Sequence, residues 1–306
     1  MTKTKVSKRK YAIYDVFTHE ALNGNPLAVV FDSAGLSDDD MQNIAAEFNL
    51  SETVFISDAE NKAHTAKLRI FMPRGELPFA GHPTVGATVA ICEAQNTDVS
   101  RILMLEENVG VIRSAYSKKQ VGYGEFDLPK LPVREVPMLE KDMVAAALGI
   151  ATEDIGFENH LISQFSAGVP YLCVPVKNLA VMERLVFNES RWLSYFPSLT
   201  PLEVHCPYVY CRETVNHDAS LHTRMFAPHH GIAEDPATGS AAAALSGALF
   251  YFDNPLDGAH EYLIEQGIAM GRPSFIRLEI ECQNGSMNSA RIGGHAVKVA
   301  EGTLLL

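Results

Sequence analysis

The stretch EDPATGSAAAALSGALFYF, residues 234–252, decides how the rest of the chain is read. From Gly239 onward nearly every position is small or apolar. A run with no polar stripe at helical spacing is the pattern of a helix buried on every side, so sheet must wrap around it. The start is polar instead: Glu234 and Asp235 precede Pro236, and Thr238-Gly239-Ser240 opens the helix. Free backbone N–H groups and the positive end of the helix dipole gather there, which suits an anion such as a substrate carboxylate. The alternative is that glycine only permits close packing while Asp235 and Ser240 cap the helix.

A second stretch has the same form. Pro83–Ala94 (PTVGATVAICEA) is small or apolar nearly all round and follows Gly81-His82. Two further pairs keep the same order: Gly24-Asn25-Pro26 with Gly168-Val169-Pro170, and Arg69-Ile70-Phe71-Met72-Pro73 with Arg224-Met225-Phe226-Ala227-Pro228. The offsets are 144 for the glycine turns, 155 for the arginine strands and 158 for the helix starts. Three matches in register predict two copies of one fold. Paired domains create a cleft, and clefts at domain interfaces are favoured sites for small ligands.

Between these markers, Tyr11–Phe17, Leu27–Phe31, Ser51–Ile56, Leu68–Phe71 and Gly122–Phe126 read as strands. Ser37 can cap a helix whose first turn holds Asp38, Asp39 and Asp40, with Met41, Ile44, Ala45 and Phe48 on one face. DLPKLPVREVP, residues 127–137, carries three prolines and reads as an extended connection between domains. A helix over Leu139–Leu148, ended by Gly149, follows. The expected division is an N-terminal repeat domain over 1–128, to which a strand at about 295–306 returns, and a C-terminal repeat domain over 129–294.

Composition excludes several functions. With 47% hydrophobic and 20% charged residues in 306, the chain reads as globular. A formal net charge of −12 opposes nucleic acid, and the basic N-terminus (Lys3, Lys5 and Lys8-Arg9-Lys10) reads as a solvated tail. The longest small-apolar run is too short to span a bilayer, and no secretory signal is read at the N-terminus. Five scattered cysteines without a CxxC pair predict free thiols in a reducing, cytoplasmic compartment, where the sequons at Asn49, Asn188 and Asn284 stay unmodified. No nucleotide-binding loop is present. His222 with His229-His230, or His205-Cys206 with Cys211, match no standard metal spacing. Neither cofactor nor metal is expected.

The titratable residues near the two helix starts are the candidates for chemistry. Asp235 can cap a helix or act on a bound group, and His82 can donate a hydrogen bond or shuttle a proton. Glu52 stands just after a helix end, where its charge is disfavoured, and just before an apolar strand; its simplest reading is a solvated side chain.

NGNPLAVVF, LSETVFI, ELPFAGHPTVGA, EDPATGSAAAAL, EQGIAMGRPS and IGGHAVKV, in this order from about Tyr11 to the C-terminus, resemble the PhzF-like isomerase family of phenazine biosynthesis. The resemblance implies the diaminopimelate epimerase-like fold: two similar α+β domains, each a curled, mostly antiparallel sheet around a central helix, with the active site in the cleft between them. It also implies a cofactor-independent enzyme and a homodimer. Carried over by motif, the catalytic glutamate is Glu52, the active-site histidine His82, and the aspartate and serine are Asp235 and Ser240. The N–H groups of Gly81 and Gly239 would hold the substrate carboxylate, and Asn25 joins the substrate-binding residues. The two thiols of the cysteine-dependent epimerases of this fold would fall on Ala80 and Thr238, neither of which can act as acid or base near neutral pH. Met72 departs from the threonine frequent there. Double-bond migration in a small carboxylate, such as a dihydro-hydroxyanthranilate, is the leading expectation. Racemisation or epimerisation of an amino or hydroxy acid, and non-catalytic binding of a small acid, remain as alternatives.

Overall fold

The structure is a computed structural model that describes residues 8–135, 139–197 and 206–306. Lys3, Lys5, Pro137 and His205 therefore lie outside the described residues. The chain divides into two compact units, Met1–Phe126 with Gly294–Leu306, and Asp127–Gly293.

In the first unit, β1 (Lys8–Val16) pairs antiparallel with β2 (Asn25–Val30) and, along its other edge, with the returning residues 296–305. Helix α1 (Asp38–Phe48) begins at Ser37, whose hydroxyl accepts the N–H of Asp40 while Asp40 reaches back to the Ser37 N–H, a reciprocal cap. Three acidic residues in its first turn complement the dipole. β3 (Glu52–Ser57) then runs parallel to β2 with Glu52 opposite Leu27. β4 (Ala66–Met72) and the short β5 (Gly75–Leu77) follow antiparallel, and α2 (Gly81–Ala94) comes next. β6 (Arg101–Glu107) lies parallel to β4 and antiparallel to β7 (Gly110–Lys118), which pairs with β8 (Gly122–Asp127).

Helix α2 is buried from Gly81 through Cys92, packed against β1, β2, β3 and β7, as its unbroken apolar surface predicts. Gly86 is required by this approach: a Cβ there would sit 2.3 Å from Leu27 Cδ2. The outer face of the sheet carries α1, whose Met41, Ile44 and Ala45 pack with Val30, Phe55 and Phe71. β2 and β3 are thus covered on both faces and nearly continuously buried, whereas β8 alternates buried and half-buried residues because only one face meets the core.

The second unit repeats this plan. β9 (Val133–Glu135) pairs with β10 (Ser163–Ser166), separated from it by α3 (Lys141–Leu148), and β10 pairs with β11 (Pro170–Pro175). α3 starts two residues after the expected Leu139 and ends at Gly149, φ 69°. Then come α4 (Leu179–Arg184), α5 (Glu189–Tyr195), β12 (Cys206–Cys211), β13 (Leu221–Ala227), β14 (Ile232–Asp235) and α6 (Gly239–Asp253). β15 (Gly258–Gln266), β16 (Ser274–Gln283) and the long β17 (Ser286–Leu305) complete the chain. β11 is parallel to β12, and β13 to β15, the same two parallel contacts as in the first unit. α6 packs on β10, β11 and β16. α3, α4 and α5 share a separate apolar cluster that includes the fully buried Trp192 and Phe226. The fold is the expected α+β arrangement, a curled sheet around a buried helix in each unit.

The repeat extends to side chains. Arg69 forks onto Glu76 with Nε–Oε1 and Nη2–Oε2 both 2.7 Å, and Arg224 forks onto Glu234 at 2.8 and 2.9 Å. Each guanidinium lies over a phenylalanine two residues on, Phe71 at 5.1 Å and Phe226 at 5.2 Å. Near the end of β6, the Glu106 carboxylate accepts the N–H groups of Glu60 and Asn61 and contacts His64. Glu265, near the end of β15, does the same with Val215, Asn216 and His222. Glu234 thereby gains a role that its sequence position did not suggest. Successive residues of β14 point to opposite faces, so Glu234 turns to Arg224 while Asp235 turns inward.

Candidate active site

Gly24 sets up the first group of candidates. Its φ of 66° lies in the left-handed region, and a Cβ there would come within 2.3 Å of Val16 O. The turn it permits delivers the buried Asn25 as the first residue of β2. The imidazole of His82, in the first turn of α2, has its Nε2 3.1 Å from the Asn25 carbonyl oxygen and its Nδ1 2.9 Å from Glu52 Oε2. A carbonyl oxygen only accepts, so Nε2 carries a proton and donates to it. The Nδ1 contact with Glu52 then holds a further proton, either as imidazolium and carboxylate or as neutral imidazole and carboxylic acid. The contact is one through which Glu52 and His82 can share a proton.

Both partners are shielded: the His82 side chain is 3% exposed and that of Glu52 17%. The simplest reading of Glu52 as a solvated side chain is corrected here. Its place as the first residue of β3, beside Leu27 of β2, turns it toward α2 rather than water. The N-cap of α2 is Ala80, which has no side chain able to cap the helix.

The second group belongs to the second unit. Asp235 is 5% exposed, and its Oδ2 accepts the Thr238 hydroxyl at 2.5 Å. Gln266, the last residue of β15, donates from Nε2 to the Asp235 carbonyl at 2.8 Å and to Thr238 Oγ1 at 3.0 Å. Its Oε1 accepts the Thr238 N–H and the Tyr208 hydroxyl. Ser240 Oγ lies 2.7 Å from the Tyr171 hydroxyl. The N-cap of α6 is Thr238, whose own side chain makes no capping hydrogen bond, and Gly239 opens the helix. The structure thus brings Glu52, His82, Asn25 and Gly81 together in the first unit, and Asp235, Gly239 and Ser240 in the second.

Sequence reasoning missed Tyr171, Thr238 and Gln266, which orient the second group. Gln266 stands in EQG, a motif that carried resemblance but no assigned role. Tyr171 follows Gly168-Val169-Pro170 as Leu27 follows Gly24-Asn25-Pro26, so the repeat contained its position but not its function.

All five cysteines are free and buried. Burial pushes the Cys206 and Cys211 thiols up to about 12 and the Cys173 thiol higher still, so none of the three supplies a thiolate near neutral pH. Among the described residues, the one group of three possible metal-ligating side chains is Glu158, His160 and Asp253. Arg212 already binds Asp253 there, and His160 is shared between Asp253 and the Tyr210 hydroxyl, an arrangement of a structural network. No helix among the described residues is long and apolar enough to cross a membrane.

Residues 14–302 match the family model described as phenazine biosynthesis-like protein. An uncharacterized isomerase of Mesorhizobium japonicum is 52% identical over 301 residues, covering 97% of this chain and 99% of the relative. The trans-2,3-dihydro-3-hydroxyanthranilate isomerase of Pseudomonas chlororaphis is 31% identical over 297 residues, with 97% and 99% covered. The crystal structure of a phenazine biosynthesis protein of the PhzF family from Bacillus anthracis superposes with a TM-score of 0.87 at 25% identity, covering 98% of this chain and all of that one. With its two repeated units and this match over nearly its whole length, the chain belongs to the phenazine biosynthesis-like, or PhzF-like, family of isomerases.

Proposed function

We propose that the protein moves a double bond in a small, carboxylate-bearing substrate by proton transfer through Glu52, without a cofactor. The observation that carries this reading is the Glu52–His82–Asn25 hydrogen-bond chain in a shielded place, through which a proton can be shared. With that proton on His82, the Glu52 carboxylate takes a proton from an activated C–H of the substrate. The electron pair of that bond enters the conjugated system, and the proton returns at another carbon, where a new C–H bond forms. Charge balances throughout, because the proton taken up is the proton given back or its solvent-exchanged equivalent.

The N–H of Gly81 and that of Gly239 are assigned to the substrate carboxylate, where helix dipoles favour negative charge. Asp235 and Ser240, oriented by Thr238, Gln266 and Tyr171, are assigned to the polar substituents of the substrate. The compound named for the Pseudomonas chlororaphis relative, trans-2,3-dihydro-3-hydroxyanthranilate, is the first substrate to offer. Turnover in 2H2O should place deuterium at the carbon that gains a proton, and Glu52→Gln should abolish both turnover and exchange while leaving the fold intact. A folded Glu52→Gln enzyme that still exchanges removes the assignment. Free, buried thiols support a reducing, cytoplasmic setting. A homodimer completes the proposal; sedimentation at micromolar concentration checks it, and a monomer there refutes it.

A further inference from the structure

Glu107 ends β6 directly beneath the first turn of α2 and has no role in the reaction described above. It is 8% exposed, its Oε1 lies 2.8 Å from Thr84 Oγ1, and its Oε2 is buried without a hydrogen-bond partner among the described residues. The same Thr84 hydroxyl lies 2.7 Å from the carbonyl oxygen of Ala80, the N-cap of α2.

A hydroxyl has one proton to give, and here two oxygens compete for it. If Glu107 were a carboxylate, one of the two short O···O contacts would have no proton between its atoms, and a buried charge would be left with one free oxygen. If Glu107 carries a proton, both contacts are satisfied: Glu107 donates to Thr84, and Thr84 donates to Ala80. The unpartnered oxygen is then the neutral carbonyl of a carboxylic acid, which costs far less to leave bare.

The second unit supplies the counterpart. Glu106 and Glu265 hold equivalent loops, so the residues that follow them, Glu107 and Gln266, are equivalent. Gln266 cannot ionise, and its amide donates to the Thr238 hydroxyl, which in turn donates to Asp235. In the second unit the strand end thus feeds a proton donor into a hydroxyl at the start of the central helix, as a protonated Glu107 would in the first.

We propose that Glu107 is a positioning residue that works as a neutral acid, holding the first turn of α2 through Thr84 and so fixing His82 against Glu52. The inference deepens the proposed function and rests on it for its kinetic consequence. Its structural part, the protonated state, does not need that reading.

Burial raises the Glu107 carboxyl to about 8, opposed only by the Thr84 hydroxyl. The charged groups on the elements around it are engaged elsewhere. On β4, Lys67 pairs with Glu60, and Arg69 with Asp38 and Glu76. Glu76 of β5 also accepts from Asn108. Glu106 of its own strand meets His64, and His82 of α2 meets Glu52. Arg113 of β7 stands opposite Met104, and Glu125 of β8 opposite Ala115.

Infrared difference spectra of wild type against Glu107→Gln test the protonation directly and need no substrate. A protonated-carboxyl band at pH 7 that vanishes above about pH 8 is expected, and a carboxylate band at pH 7 overturns the proposal. In the isomerase assay, Glu107→Gln should restore the proton donor, keeping wild-type kcat/KM at pH 7 and retaining it on the alkaline side where wild type declines. Glu107→Ala and Thr84→Val should each lose about tenfold, equivalent to ~1.4 kcal/mol. A Glu107→Gln enzyme as impaired as Glu107→Ala, or a Thr84→Val enzyme with full kcat/KM, refutes the positioning role. Failure of the Glu52→Gln test instead refutes the proposed function and leaves the infrared result standing.

Discussion

The two units share a scaffold and differ in what they place at equivalent points. Both bury a helix in a curled sheet, both carry an Arg–Glu fork over a phenylalanine, and both hold a loop with a glutamate near the end of a strand. At the strand position where the first unit has Glu52, opposite Leu27, the second has Cys206, opposite Tyr171. At the helix start, His82 becomes Ser240. Beneath it, Glu107 becomes Gln266. At these three positions the first unit has the acid–base groups and the second has neutral ones, while Asp235 is the carboxylate that the second unit places beside its helix start. Structural devices persist because each satisfies buried backbone or charge, whereas the three positions around the helix starts differ between the units although most of the residues there are buried.

The largest effect should separate Glu52 from its equivalent. Glu52→Gln should abolish turnover, a fall in kcat of more than about 10⁴-fold. Cys206→Ser should leave kcat unchanged, because its buried thiol is neutral. Equal losses at both positions would erase the functional contrast between the units.

The pH dependence of stability comes next. A carboxyl of usual value 4.5 that is raised to about 8 on folding keeps its proton in the folded chain while the unfolded chain releases it. Between those values the unfolded chain binds fewer protons, so stability falls as pH rises, by about 1.4 kcal/mol per unit of difference. Glu107→Gln should flatten that fall, measured by urea unfolding between pH 5 and about pH 8.5; an unchanged slope would show that Glu107 does not titrate there. Gln266 at the equivalent place contributes no such slope, since an amide does not ionise.

The forks should differ in worth despite their common geometry. Arg224 is 12% exposed at its side chain and also donates to the carbonyls of Met182 and Leu185. Arg224→Ala should cost about 3 kcal/mol, as for breaking a buried pair. Arg69 is 23% exposed with Asp38 largely in solvent, so Arg69→Ala should cost about 1 kcal/mol. Denaturant midpoints measure both, and the reverse order would show that the second-unit fork is not the better buried one.

The smallest effect concerns Tyr171 and Ser240. Removing the hydroxyl in Tyr171→Phe should weaken substrate binding by about 1 kcal/mol, the worth of one neutral hydrogen bond, seen as a higher KM at constant kcat. A lowered kcat with unchanged KM would move Ser240 from binding to chemistry.

Much of the fold could be read in advance because its signals are local. An unbroken run of small and apolar residues has no exposed face to offer, so α6 is buried from Ala241 to Leu249 and α2 from Gly81 to Cys92; the last turns emerge, with Tyr251 exposed although the run reads as buried through Phe252. Ser37 and Asp40 lie within one helical turn, so their reciprocal cap is visible in four residues. The repeat was legible because it preserves order along the chain. Site chemistry was less accessible: Glu52 and His82 are 30 residues apart, and nothing near Glu52 in sequence names its partner. Glu234 and Asp235 are neighbours with opposite fates, a difference set by strand alternation and by which face meets Arg224.

The sequence by itself determined the class of fold, the buried helices, the doubling of the unit, and the residue types available for proton transfer, since these depend on composition, spacing and short-range hydrogen bonds. Only the tertiary structure decided that Glu52 meets His82, that Asn25 contributes its backbone carbonyl, and that Glu107 is buried. Those are matters of distance and desolvation between segments far apart in the chain, and protonation follows surroundings rather than residue type.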